Sequence, residues 1–272
     1  MMDSFTSVIV TYNSLGEIGD LLNDLATHVP ASPVVVIDNA SRDGCADLVS
    51  SQFSYVHLVR NKQNLGYAQA VNQGASMCNT PYILLLNPDI RILKGAVFAE
   101  MLAFMENQYT VAAAAPLQFK ESAQECCLNF TWSYLSSQAF EFFWKQRFHC
   151  FPQQTTPIKV PFLNAGCLML RRAAFERVGK LNEKYFLYGE EPDLFLKFIR
   201  YKYECYLLPN VSIVHYRERS IGKVETQERL LIRLLAVHNI VHALINGWGR
   251  ICLDYLTRQI PPERSQPPPK QN

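Results

Sequence analysis

The sequence predicts an α/β fold with a central, mostly parallel sheet flanked by helices, and three observations carry that expectation. Short aliphatic and β-branched runs recur through the first ninety residues, separated by stretches in which apolar residues return every three or four positions. The runs are apolar throughout rather than alternating, as strands covered on both faces should be. Each run also ends in short polar residues, at the edge where such sheets bind ligands.

In order, the strand candidates are "SVIVTY" (7–12), "PVVVID" (33–38), "YVHLVR" (55–60) and "YILLLN" (82–87). The helical stretches between them are "GEIGDLLNDLATHV", "SRDGCADLVSSQF" and "LGYAQAVNQGASMC". In the second of these, Ser41 and Asp43 are placed to accept hydrogen bonds from the free amides of a helix start. Farther along, "FLYGEEPDLFLKFIRYKY" predicts a helix beginning at Glu191 or Pro192. Proline suits the first helical position, Asp193 suits the first turn, and Leu194 with Phe198 and Phe195 with Ile199 supply an apolar face. "VSIVHY" reads as another strand, ending on His215.

Residues 226–260 read as one or two amphipathic helices interrupted by "NGWG". Arg233, His238, Asn239 and His242 break the apolar run short of a membrane span, so docking on the domain or on a partner is expected, with peripheral membrane contact through 226–256 as the alternative. The proline-rich tail 261–272 predicts disorder. Residues 1–225 then form the main domain. "NFTWSYLSSQAFEFFWKQRFHCF", within 120–160, is dense in aromatic residues and fits either a ligand groove or a packed lid.

A chain of 272 residues with 49% hydrophobic and 18% charged residues can bury a substantial core. Its net charge of +2 provides no field that favours nucleic acid. Eight cysteines lie without a CxxC pair or regular spacing, and Cys126 and Cys127 are adjacent, which fits reduced thiols better than a zinc site or a disulfide framework. An acidic residue, Asp3, stands where an export signal needs positive charge, and the following apolar run is short. A cytoplasmic location is expected.

The polar strand ends are Thr11-Tyr12-Asn13, Asp38-Asn39, Asn61 to Gly66 and Asn87-Pro88-Asp89. Any one of them would serve as a turn. Four in succession, at the ligand-binding edge, mark a site. Neither GxGxxG after the first strand nor GxxxxGK[ST] is present, which argues against dinucleotide and P-loop sites. A glycine at position 66 would permit close backbone approach to a ligand.

"SVIVTYNS", "VIDNASRDG", "NLGYAQAVNQG", "LLLNPDI", "NAGCLMLRRAAFERVGKLNEKYFLYGEEPDLFLKF" and "HYRERSIGK", in this order, resemble glycosyltransferase family 2, the inverting GT-A enzymes with a Rossmann-like sheet, and especially its rhamnosyltransferase-like branch. The resemblance covers roughly residues 5–225. It implies a nucleotide-diphosphate sugar donor (dTDP- or UDP-linked), Mg2+ or Mn2+, and a glycan or lipid-linked glycan acceptor of surface polysaccharide synthesis, reached in the cytoplasm or at the inner face of the plasma membrane.

The resemblance also implies residue roles. Asn87-Pro88-Asp89 stands at the DXD position with its first acid replaced by an amide, as in the rhamnosyltransferase-like branch. Asp89 is then a metal ligand, and one retained carboxylate suffices for a hard cation that also takes phosphate oxygens. His215, matched to a family HxxxxS segment ending at Ser220, completes the shell, with Arg217, Arg219 and Lys223 near the phosphates. Glu191 takes the position of the general base, an Asp in much of the family. Glu190 and Asp193 orient the acceptor or nearby backbone. Asp38 contacts the nucleoside, Thr11 and Asn13 line its pocket, Asn64, Gly66 and Asn72 frame base and ribose, and Asn164, Ala165 and Gly166 lie near the transferred sugar. Two other functions stay open at this point: a sugar-phosphate nucleotidyltransferase, for which "TYNSLGEIG" lacks the expected basic residue, and a catalytically degenerate nucleotide-sugar-binding subunit.

Overall fold

The computed structural model describes residues 4–119, 126–127 and 155–216. Its elements are β1 (Phe5–Thr11), α1 (Leu15–His28), β2 (Val34–Asp38), α2 (Cys45–Gln52), β3 (Val56–Arg60), α3 (Tyr67–Ala75), β4 (Tyr82–Leu86), β5 (Ile90–Arg91), α4 (Ala96–Glu106) and β6 (Val111–Phe119). There follow β7 (Cys126–Cys127), β8 (Ile158–Lys159), β9 (Cys167–Arg171), α5 (Arg172–Arg177), α6 (Glu190–Arg200) and β10 (Glu204–His215).

All strands join one sheet in the order β3-β2-β1-β4-β9-β6-β10-β5, with β7 beside β6 and β8 beside β10. The first four strands pair in parallel. β9 enters antiparallel between β4 and β6, and β6 then pairs parallel with β10. Six long strands therefore share one direction, and their carboxyl ends form one edge.

Alternate residues of each strand supply opposite faces of the sheet. Val8, Ile83 and Leu85 pack with Ala68 and Val71 of α3, Phe175 of α5, and Leu194, Phe195 and Phe198 of α6. Ile9, Leu84 and Leu86 pack on the other face with Ile18, Leu21 and Leu22 of α1, Val49 of α2, and Phe98 and Met101 of α4. The helices follow from the same periodicity, since α1 buries Ile18, Leu21, Leu22 and Leu25 on a single stripe.

Several details differ from the sequence expectation. β3 is an edge strand whose residues are half-buried or exposed, not covered on both faces. The last strand begins at Glu204, seven residues before "VSIVHY", and shifts register against β6 between Leu208 and Ser212, beside Pro209, which lacks a ladder amide. α4 and β6 have no counterpart in the sequence reading. β6 contains Ala112, Ala113, Ala114 and Ala115, residues of low strand preference that sit fully buried between neighbouring strands and helices, so packing decides their conformation. Ser41 does not cap α2: its hydroxyl accepts the Asn13 amide, while Asp43 accepts from Cys45 at the helix start and from Leu15.

The aromatic residues of 120–154, Arg217, Arg219, Ser220 and Lys223, the helices expected over 226–260 and the tail 261–272 lie outside the described residues. Among the described residues, no helix is long and apolar enough to cross a membrane.

Candidate active site

The carboxyl ends of β2 and β3 open into a cavity of about 570 Å³. Asp38, Ser41 and Arg42 line it from the β2 side, Arg60, Asn61, Lys62 and Asn64 from the β3 side, and Tyr12 from the end of β1. Asp38 is buried at its base, where its carboxylate accepts from the Thr11 hydroxyl at 3.1 Å and from the Ser41 amide at 3.1 Å. Asn13 adopts φ 54° and folds back, its amide donating to Ser41 Oγ and its side-chain oxygen accepting from the Arg42 amide. One wall is stiffened by a buried amide network. Asn39 donates to Asn64 Oδ1 and to the Gly66 carbonyl, and its own oxygen accepts from Asn61 and from the Leu65 amide. All four hydrogen-bonding positions of Asn39 are filled.

Beyond the end of β4 the chain turns through Asn87 and Pro88, and the Asn87 amide donates to the Gly166 carbonyl at 2.9 Å. Asp89, 5% exposed, sets Oδ1 3.2 Å from Nε2 of the equally buried His215 at the end of β10. The other ring nitrogen, Nδ1, lies 2.9 Å from Oε1 of Gln118 on β6, and Asn87 Nδ2 lies 3.5 Å from Nε2. Gly166 makes room for the ring: a Cβ there would lie 2.5 Å from His215 Cε1 and 2.8 Å from Asn164 Oδ1. A buried carboxylate needs a partner of opposite charge, and no protein group among those described donates a hydrogen bond to Asp89 Oδ1. The pair suits a divalent cation, with carboxylate oxygen and imidazole nitrogen converging on one point. No third His, Cys, Asp or Glu joins them among the described residues, which leaves the remaining positions of a cation to ligand oxygens.

α6 begins at Glu190, earlier than expected, because Gly189 at φ 103° turns the chain directly into the helix. Pro192 therefore occupies the third helical position, where its missing amide hydrogen still has no intrahelical acceptor. Glu191 Oε1 accepts from the Ala165 amide at 2.9 Å. Glu190 is buried, and burial followed by the adjacent Glu191 carboxyl pushes its pKa up to about 8. The same two acids, after burial itself, hold the Tyr67 phenol well above its ordinary range. Asp193 forms an ion pair with Lys197 one turn on, 2.7 Å away, rather than pointing free toward an acceptor.

The segment before α6 is fastened to α3. Asn72 donates to the Leu181 carbonyl and to Glu183, and its oxygen accepts from the Leu181 amide. The Tyr67 amide donates to the Phe186 carbonyl at 2.8 Å. These contacts correct two expectations. Asn72 is engaged by this segment instead of framing a ligand, and Gly66 is required because a Cβ would sit 2.5 Å from the Phe186 carbonyl oxygen, so the close approach it permits is within the protein. Asn64 likewise faces inward in part, accepting from Asn39 and the Gly66 amide, while still lining the cavity.

The structure thus brings the expected residues to one edge in two groups. Asp38 and Asn64 line the cavity, while Thr11 and Asn13 do not line it themselves but hold the lining residues Asp38, Ser41 and Arg42 in place; Asn87, Asp89, Asn164, Gly166, Glu190, Glu191 and His215 form the other group. The contact path Asp89, His215, Gly166, Ala165, Glu191 links residues a hundred positions apart. Arg42, Arg60 and Lys62 at the cavity were missed as site residues, although basic side chains flanking polar strand ends were visible in the sequence. Gln118 was missed because nothing local marks it.

The sheet order and a ligand edge carrying this acid–histidine pair define a GT-A-type α/β fold. That fold is shared with the mannosyltransferase PcManGT from Pyrobaculum calidifontis in complex with GDP-Man and Mn2+ (TM-score 0.60, 15% identity, 95% of this chain and 81% of that one). It is also shared with GalNAc-T7 in complex with UDP, GalNAc and Mn2+ (TM-score 0.59, 16% identity, 78% of this chain), of which the chain spans 43%. The family model "Glycosyl transferase family 2" matches residues 6–179, and the chain belongs to that family and is a glycosyltransferase. In sequence it is 24% identical over 291 residues to the N-acetylglucosaminyl-diphospho-decaprenol L-rhamnosyltransferase of Mycobacterium tuberculosis, covering 95% of this chain and 90% of that protein.

Proposed function

We propose that this glycosyltransferase moves a hexose, with rhamnose from a dTDP-sugar as the first choice, onto a hydroxyl of a lipid-linked glycan with inversion at the anomeric carbon. The observation that carries the reading is the placement of Glu191 in the first turn of α6, held by the Ala165 amide beside the Asp89–His215 pair. The nucleoside occupies the cavity floored by Asp38, and Arg42 and Lys62 supply positive charge at its rim, Arg60 being paired with Asp47. Asp89 and His215 would hold Mg2+ or Mn2+, which supplies charge to neutralise the diphosphate. Glu191 accepts the proton of the acceptor hydroxyl as that oxygen bonds to the anomeric carbon and the sugar–phosphate bond breaks, releasing the nucleoside diphosphate. Burial and the adjacent Glu191 carboxyl push the Glu190 pKa up, which favours its neutral form and makes Glu191 the apter base. Donor and acceptor kinds draw support from the M. tuberculosis relative, named as an L-rhamnosyltransferase of N-acetylglucosaminyl-diphospho-decaprenol. In this reading the catalytic unit is 1–225, working in the cytoplasm or at the inner face of the plasma membrane.

Thermal-shift screening with UDP, dTDP and GDP, each with and without Mn2+, tests the donor side, since a ligand that binds the folded state raises the melting temperature. The expected outcome is a shift that needs metal and prefers dTDP or UDP. Turnover of the corresponding nucleotide sugar must follow; binding without turnover would identify a nucleotide-sugar-binding subunit instead.

A further inference from the structure

We propose that Gln118 is a positioning residue that sets the tautomer of His215 and so pre-forms the cation seat at Asp89; this rests on reading the Asp89–His215 pair as a metal site. Gln118 is fully buried on β6, two strands away from β4 in the sheet, and its Oε1 lies 2.9 Å from His215 Nδ1. A carbonyl oxygen accepts, so Nδ1 carries the ring proton and Nε2 presents a bare lone pair. That lone pair faces Asp89 Oδ1 at 3.2 Å. Two acceptors brought together in a buried site repel unless a cation lies between them, and Asn87 Nδ2 at 3.5 Å is the nearby donor.

The alternative pairing would turn the Gln118 amide nitrogen toward Nδ1. Nε2 would then carry the proton, donate to Asp89 and close the seat. With the oxygen inward, the amide nitrogen of Gln118 is left buried without a partner among the described residues. That uncompensated donor is a cost the fold bears in keeping Nε2 open. Gly166 packs directly against the ring, where an added Cβ would lie 2.5 Å from Cε1. Partners of this outer kind typically change metal affinity by ten- to a hundredfold when removed.

Two measurements on the full chain test the assignment. In metal-free protein, 15N spectra of the histidine ring, assigned by loss of the signal in His215→Asn, are expected to show the proton on Nδ1; a proton on Nε2 overturns the proposal without any variant at position 118. Manganese titration followed by electron paramagnetic resonance is expected to show Mn2+ binding about ten- to a hundredfold weaker in Gln118→Met, which removes the acceptor at similar length. Gln118→Glu, which keeps it, should stay within a few-fold of wild type. Equal affinity in wild type and Gln118→Met would overturn the role of Gln118 and leave the metal site standing. Absence of Mn2+ binding by the wild type removes both.

Discussion

On the β2–β3 side of the ligand edge, Asn39, Asn61 and Asn64 satisfy one another and the Leu65 and Gly66 amides. On the β4–β10 side, Asp89 Oδ1, Gln118 Nε2 and Glu190 Oε2 are buried without a hydrogen-bond partner among the described residues. The first region is a finished scaffold around an open cavity. The second keeps polar atoms in reserve, and a protein tolerates such atoms where a ligand or a reaction will use them. The difference separates residues that hold the site's shape from residues that meet its chemistry.

The contrast predicts different symptoms for substitutions on the two sides. Glu191→Gln keeps an oxygen for the Ala165 amide but cannot take up a proton, so nucleotide-sugar transfer should fall by about a hundred- to ten-thousandfold while donor binding by calorimetry stays near wild type. Normal turnover in this variant would remove Glu191 as the base. Asn39→Ala should do the reverse: it strips four hydrogen bonds from a buried network and should lower stability in urea melts by about 3 kcal/mol, with residual folded protein still competent.

A smaller effect concerns Glu190. Its folded-state pKa is raised to about 8 by burial and by Glu191, so between the ordinary carboxylate range and about pH 8 the folded chain binds a proton that the unfolded chain has lost. Stability attributable to this group is therefore full at low pH and declines as pH rises through about 8. Glu190→Gln should flatten that decline in melts taken from pH 5 to 9. An unchanged slope would show that Glu190 titrates normally.

The parallel half of the fold was readable because β1, β2 and β4 are continuous apolar runs and the helices between them repeat at helical spacing. The insertion of β9 between β4 and β6 was not, since strand order depends on contacts more than fifty residues apart and leaves no local trace. Alanines dominate β6, so its conformation comes from its neighbours. Site residues at strand ends, such as Asp38 and Asp89, were visible as polar breaks after apolar runs. Gln118 sits inside a buried strand with no distinguishing pattern, and the reason for Gly66 lay in Phe186, more than a hundred positions away.

Asn72 and Tyr67 clamp residues 181–186 from one helix, while Ala165 holds Glu191 from another direction. Between the last clamp, at Phe186, and the acid lie four residues. Surface connections elsewhere in such a chain can gain or lose length at little cost, yet here a single inserted or deleted residue would rotate the start of α6 by about 100° and aim the carboxylate elsewhere. Variation in length within 187–190 is therefore a sharper marker of lost transfer activity than most changes of side chain.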